Sequence, residues 1–280
     1  MKSVTQRVKE IKQPRGGFLP ISLFEAIDLN DGVNLYPEEN VHSSIVGMAV
    51  DYLIRFLNTD LSWRAFRTSM IGASTAEKNG IIGSKDVAKK LLANIKGLDD
   101  DSIVNACKLV SFDVWYGNLL YAQNASKYSD INPNDETIQN IRIIINRSLN
   151  FFKQYGPIIK YGFNFFPANS NDNNSYGDIL INGHGSCGGY SGFVTLGEGD
   201  YLTSDTMWEF KTNKKKPSSQ HTLQLLMYWI MGQHSEQDIF KNISKIGFFN
   251  PRLNVIYLLE VSKIPYDIIK VIEDEVICYE

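Results

Sequence analysis

The stretch from Gly197 to Thr212 reads GEGDYLTSDTMWEFKT, and its polar and apolar residues are arranged around the turn-forming pair Ser204-Asp205. Two short runs, one carrying Tyr201 and the other Trp208 and Phe210, separated by such a pair, specify antiparallel strands joined by a tight turn. With Ser204-Asp205 at the turn, Leu202 faces Met207, Tyr201 faces Trp208 and Asp200 faces Glu209. This hairpin constrains the fold more than any other segment, because each placement on it fixes a neighbour across the sheet.

The same register creates an electrostatic problem. Opposed side chains on antiparallel strands have Cβ atoms only about 5 Å apart, so two carboxylates there repel unless a cation intervenes. Side chains alternate with period two, which puts Glu209 and Lys211 on the face of Asp200, and Tyr201, Trp208 and Phe210 on the other. A charged face and an apolar core face are therefore expected. A hard, oxygen-preferring ion such as Mg2+ (or Mn2+) needs few carboxylates and keeps several waters, which suits a phosphodiester substrate. The ion would polarise the phosphate and acidify a bound water, and Lys211 would orient or deprotonate that water or neutralise the transition state. The plainer alternative is an amphipathic hairpin on which Lys211 forms only a cross-strand salt bridge.

Around the hairpin the character of the chain changes twice. Residues 1–42 contain Pro14, Gly16-Gly17, Pro20, Asn30-Asp31-Gly32 and Pro37, and read as an irregular N-terminal arm with short elements. From Ser43 apolar residues recur at helical spacing (Ile45, Val46, Ala49, Val50, Leu53, Ile54, Leu57), predicting a helix over about 43–58. Further helices are predicted near 84–96, 101–126 and 134–155, so a mainly helical subdomain occupies about 60–155. Beyond Gly156 strands dominate, with Ile158–Phe166 and Asn254–Glu260 as candidates, a helix over about 219–232 and a last one near 265–275. The polar tract Asn169–Tyr176 reads as a surface loop.

Composition excludes several classes. Apolar residues form 43% and charged residues 21% of the chain, too apolar for a disordered protein. A formal charge of -3 over 280 residues gives no global basic character, so any nucleic-acid contact must be local. Cys107, Cys187 and Cys278 lie far apart with no CxxC, which argues against a disulfide framework or a zinc knuckle. The N-terminus lacks the apolar core of a signal peptide and no run approaches the length of a membrane span. A cytoplasmic location and no membrane partner are expected.

After the hairpin comes HTLQLLMYWIMG, which places Gln224 and Tyr228 on one helix face. An Asp near the end of one strand, then (D/E)xK on the next, then QxxxY on the following helix resembles the PD-(D/E)XK nuclease superfamily, particularly its RecB-like exonuclease branch. The resemblance covers Gly197 to Gly232. It implies that Asp200 and Glu209 are metal ligands, that Lys211 is the catalytic lysine, and that Gln224 and Tyr228 position the substrate or steady the site. Relatives carry another His or acidic ligand on an earlier helix in a GxxxH-like setting; here Gly47-Met48-Ala49-Val50-Asp51 offers Asp51 in place of the His.

Positive charge follows the catalytic strand directly. Lys214, Lys215 and Lys216 would contact the DNA backbone, with binding that weakens as salt rises, and His221 could touch a phosphate. The N-terminal Lys2, Arg7, Lys9, Lys12 and Arg15 could add a second contact. The expectation is thus an α/β chain with a restriction-endonuclease-like core: a central mixed sheet flanked by helices, within residues 43–280, plus a helical insertion. Its expected activity is metal-dependent hydrolysis of DNA phosphodiester bonds in a repair, recombination, phage or defence context. The alternative is a non-catalytic nucleic-acid-binding or scaffold protein that retains the fold. Cutting of ends or of internal sites, the oligomeric state and any partner helicase stay open.

Overall fold

The computed structural model describes residues 2–59, 61–117, 119–125, 127–167 and 188–279. The tract Asn169–Tyr176 and Cys187 lie outside them. The chain forms two compact units: Met1–Asp31 with Phe152–Glu280, and Gly32–Phe151. Their boundaries differ from the sequence reading, in which an arm ended at residue 42 and the helical part began near 60.

The first unit is built on a mixed sheet of seven strands: β1 (Lys2–Ser3), β2 (Glu25–Asp28), β3 (Lys160–Phe165), β4 (Val194–Leu202), β5 (Thr206–Phe210), β6 (Lys245–Asn250) and β7 (Val255–Glu260). Their order is β1-β4-β5-β6-β7-β2, with β3 also paired to β4. β4 and β5 are antiparallel, β5 and β6 parallel, and β6 and β7 antiparallel. The parallel step needs a crossover, supplied by the helix Ser219–Gln233.

The first thirty residues carry short elements, as expected of the arm, and these are built into the sheet unit. β1 pairs in parallel with β4, β2 pairs antiparallel with β7, and the helix α1 (Val4–Glu10) buries Val4 and Val8 in the main core with Leu19 and Phe24. Two and four residues are too few to show a strand period, and pairing with longer strands stabilises them instead.

The second unit is helical: α2 (Ser43–Thr59), α3 (Ser62–Ala65), α4 (Arg67–Lys78), α5 (Ser84–Ala93), α6 (Asp100–Val110), α7 (Val114–Gly117), α8 (Leu119–Ala122) and α9 (Asp135–Tyr155), whose last residues belong to the sheet unit. α2 buries Val46, Ala49, Val50, Leu53 and Ile54, the stripe read from its periodicity, and packs on α6. The helix expected over 101–126 is broken after Val110 by a 3₁₀ turn, Ser111–Asp113. There the chain abuts α4 so closely that a Cβ on Gly72 would lie 2.0 Å from the Phe112 carbonyl oxygen. Among the described residues of the sheet unit, α10 (Ser219–Gln233) and α11 (Tyr266–Val271) follow, the latter running into a π-helical turn, Ile272–Ile277. Among the described residues no helix is long and apolar enough to cross a membrane.

Candidate active site

The hairpin adopts the register read from the sequence. Tyr201 pairs with Trp208 and Leu202 with Met207. Thr203 N–H donates to the Thr206 carbonyl at 3.0 Å, which leaves Ser204-Asp205 at the turn, and Trp208 Nε1 donates to Thr203 Oγ1 at 3.2 Å. Beyond Tyr201 and Trp208 a side chain replaces the backbone ladder: Phe210 N–H donates to Asp200 Oδ2 at 2.8 Å. The Asp200 carboxylate is thereby fixed against the strand that carries Glu209.

The two faces of the hairpin differ from expectation in one respect. Tyr201, Trp208 and Phe210 do share an apolar face, where Phe152 packs on Tyr201 and Phe210 and Tyr155 packs on Trp208. Glu209, however, pairs across the sheet with Phe248, which belongs to the core under α10 together with Leu202 and Met207. The carboxylate therefore terminates a core row, and only 5% of the residue is exposed.

Burial gives Glu209 its chemistry. Lys211 Nζ lies 2.7 Å from Glu209 Oε1, while Glu209 Oε2 is buried without a hydrogen-bond partner, the one side-chain atom so placed among the described residues. Such an atom costs roughly 1–3 kcal/mol, more when the group is charged, unless something binds it. Burial works against the Lys211 ammonium, but the Glu209 and Asp200 carboxylates outweigh it and hold the lysine above its ordinary pKa. Lys211 is therefore a firmly held cation.

α10 covers this group. Gln224 Nε2 donates to Tyr228 Oη at 2.8 Å. Tyr228 is 2% exposed, and its pKa stands well above the ordinary value, first through burial, then through the charge of Glu209, with smaller contributions from Asp200 and Glu198. Asp200, Glu209, Lys211, Gln224 and Tyr228 thus form one electrostatically coupled cluster at the sheet–helix junction. Glu198, two residues before Asp200 on β4, adds its charge from an exposed position.

His221 sits one turn earlier on α10. Its Nδ1 accepts the Ser218 N–H at 3.1 Å, which closes the start of the helix. Burial, followed by the nearby Lys211 charge, lowers its pKa to about 4, so the ring is neutral near pH 7. It offers no cationic contact to a phosphate there.

Lys214, Lys215 and Lys216 are exposed in the loop that leaves β5. Two of the N-terminal cations have structural employment: Lys2 pairs with Glu10, and Arg7 donates to the carbonyls of Val276 at 2.8 Å and Glu275 at 2.7 Å. Asp51 belongs to the helical unit, where Arg55 engages both its carboxylate oxygens, Nε to Oδ1 at 3.1 Å and a terminal nitrogen to Oδ2 at 2.8 Å.

Among the described residues no set of three or more His, Cys, Asp and Glu side chains converges on one metal position. Two carboxylates completed by water and substrate form a smaller set, and the unpartnered Glu209 oxygen is the feature that fits a hard cation. No family model, curated protein or solved structure matches the chain.

Proposed function

We propose that the chain is a metal-dependent nuclease of the PD-(D/E)XK type, hydrolysing DNA phosphodiester bonds on a restriction-endonuclease-like core. The observation that carries this reading is the asymmetry of Glu209, with one oxygen on Lys211 and the other buried without a partner. A buried salt bridge offsets its desolvation cost only where hydrogen bonds satisfy the remaining lone pairs, and this one leaves an oxygen unmatched. The order of elements supports the same reading: a strand with Asp200, a strand with Glu209 leading into Lys211, then a crossover helix with Gln224 and Tyr228.

Glu209 Oε2 and the Asp200 carboxylate would hold a divalent cation, Mg2+ or Mn2+. When bound, such an ion supplies charge neutralisation and an acidified water. Lys211, kept protonated by its two carboxylate neighbours, stabilises negative charge gathering on the phosphoryl oxygens. In that role it is an electrostatic stabiliser and an orienter of water. Gln224 and Tyr228 hold the carboxylate side of the site dry and rigid.

The test is digestion of linear and circular DNA with Mg2+ or Mn2+, comparing the wild type with Lys211→Ala. Loss of cleavage in the variant is expected. Intact DNA with both proteins across metals and substrates would transfer support to the non-catalytic nucleic-acid-binding reading.

A further inference from the structure

The loop that carries Lys214, Lys215 and Lys216 is held from beneath by two buried polar side chains at the end of β6. Asn250, fully buried, donates through Nδ2 to the Asn213 carbonyl at 2.8 Å and the Lys215 carbonyl at 3.5 Å. Its Oδ1 accepts the N–H groups of Arg252 at 3.0 Å and Leu253 at 3.1 Å. Arg252, 7% exposed, donates through Nε to the Thr212 carbonyl at 2.8 Å, and Lys211 N–H donates to the Phe249 carbonyl at 3.0 Å. Residues 211, 212, 213 and 215 are all tied down, while the three lysines stand exposed. Burying an amide and a guanidinium to fix the backbone of a hydrophilic loop is costly, and such a loop needs no fixing to remain soluble.

We propose that Asn250 and Arg252 are positioning residues that pre-organise Lys214–Lys216 as a rigid binding strip for the phosphate backbone of the nucleic-acid substrate, beginning immediately after Lys211. The inference rests on the nuclease reading for the substrate class alone. A strip whose geometry is set before binding loses less conformational entropy on association than three free lysines on a mobile loop. Each phosphate contact releases counterions, so it steepens the dependence of affinity on salt by about 0.9 for duplex DNA.

The experiment measures DNA affinity against salt concentration, and DNA cleavage alongside it, for wild type, a Lys214→Gln/Lys215→Gln/Lys216→Gln triple variant, Asn250→Ala and Arg252→Lys. The triple variant should lower the salt slope by about 2 to 3. Asn250→Ala keeps every charge and should still weaken binding about 3- to 10-fold, appearing in KM rather than kcat. Arg252→Lys keeps its charge as well and should show a partial loss. Trypsin cleavage after Lys214 and Lys215 reports bracing without any substrate, and it should accelerate in Asn250→Ala and in Arg252→Lys, the second variant serving if the first does not fold. An unchanged slope in the triple variant with active wild type overturns the strip and leaves the nuclease reading standing. Lysine-dependent binding with no cleavage upholds the strip and removes the nuclease reading. No DNA binding at all removes both, and equal trypsin rates remove the bracing.

Discussion

Glu209 near the end of β5 and Lys211 just beyond it meet at 2.7 Å, and the ammonium saturates only one oxygen of the carboxylate, leaving the other buried and unmatched. The pair is therefore structurally complete for the lysine and incomplete for the acid. A cation that restores the missing interaction must bind the folded protein and not the unfolded chain, and this linkage is measurable without any assay of activity.

Mg2+ or Mn2+ should raise the unfolding temperature of the sheet unit in the wild type. At about a hundredfold excess over its Kd, a ligand specific to the folded state adds about 2.7 kcal/mol. Glu209→Gln keeps the shape and should abolish this gain along with cleavage. Calorimetry with and without metal decides the point: an equal metal response in both proteins would place the cation elsewhere.

Lys211→Ala should do more than stop cleavage. It strands Glu209 at 5% exposure with neither oxygen matched by the lysine, and breaking a buried pair from one side costs about 3 kcal/mol at the lower end of the usual range. Because the Lys211 pKa is raised, its contribution is complete below the unfolded value of 10.5 and is lost as pH rises through the higher folded value. The lysine's own share of the stability difference between wild type and Lys211→Ala should therefore be lost only in alkali. Denaturant titrations at several pH values would show it.

Tyr228→Phe should separate burial from hydrogen bonding beneath α10. The ring still fills its place, yet Gln224 Nε2 loses its acceptor at 2.8 Å, a loss of roughly 1–2 kcal/mol. If Tyr228 only packs, urea unfolding will show a smaller change and cleavage will persist. If it steadies the carboxylates, cleavage will fall along with stability.

How much of this was legible beforehand follows from where each residue's environment is set. The hairpin register was readable because the turn pair and the cross-strand neighbours Tyr201/Trp208 and Leu202/Met207 are local in sequence. α2 was readable because one stripe of a long helix is buried. β6 was not recognised as a strand: Phe248 lies in the core under α10 while Phe249 pairs with Phe210 on the opposite face, so KIGFFN is buried on both sides and shows no alternation. The catalytic candidates were identifiable by type and spacing. Glu209 lying under a helix, and Asn250 reaching back to the lysine loop, depend on contacts between segments distant along the chain.

The helical unit should carry its own pH response. Asp113, placed by the break after α6, accepts the hydroxyls of Tyr52 and Ser69, and burial raises its pKa from 3.8 to about 6, opposed by those two hydrogen bonds. Asp51 raises it further and Arg55 lowers it. The folded state thus holds this proton more tightly than the unfolded state. Its stabilisation is complete below 3.8 and is lost as pH rises through about 6. The effect is on the order of 2–3 kcal/mol, and Asp113→Asn should flatten it. Unfolding curves of the two proteins that run parallel from pH 4 to pH 6.5 would contradict the assignment.

His221 should titrate in the opposite sense over nearly the same range. Burial and the adjacent Lys211 charge favour its neutral form, lowering the pKa from 6.5 to about 4. The stability this lends is present above 6.5 and is lost as pH falls through about 4. An NMR titration of the imidazole should accordingly show no transition near 6.5. Because the ring is neutral at pH 7, it releases no counterion when DNA binds, so His221→Gln should leave the salt slope of binding as it is in the wild type. The start of α10 should be kept as well, since a glutamine at this third helical position can accept the Ser218 N–H in place of the ring. A salt slope reduced by about one in this variant would mean that the ring is charged in the complex and that DNA binding raises its pKa.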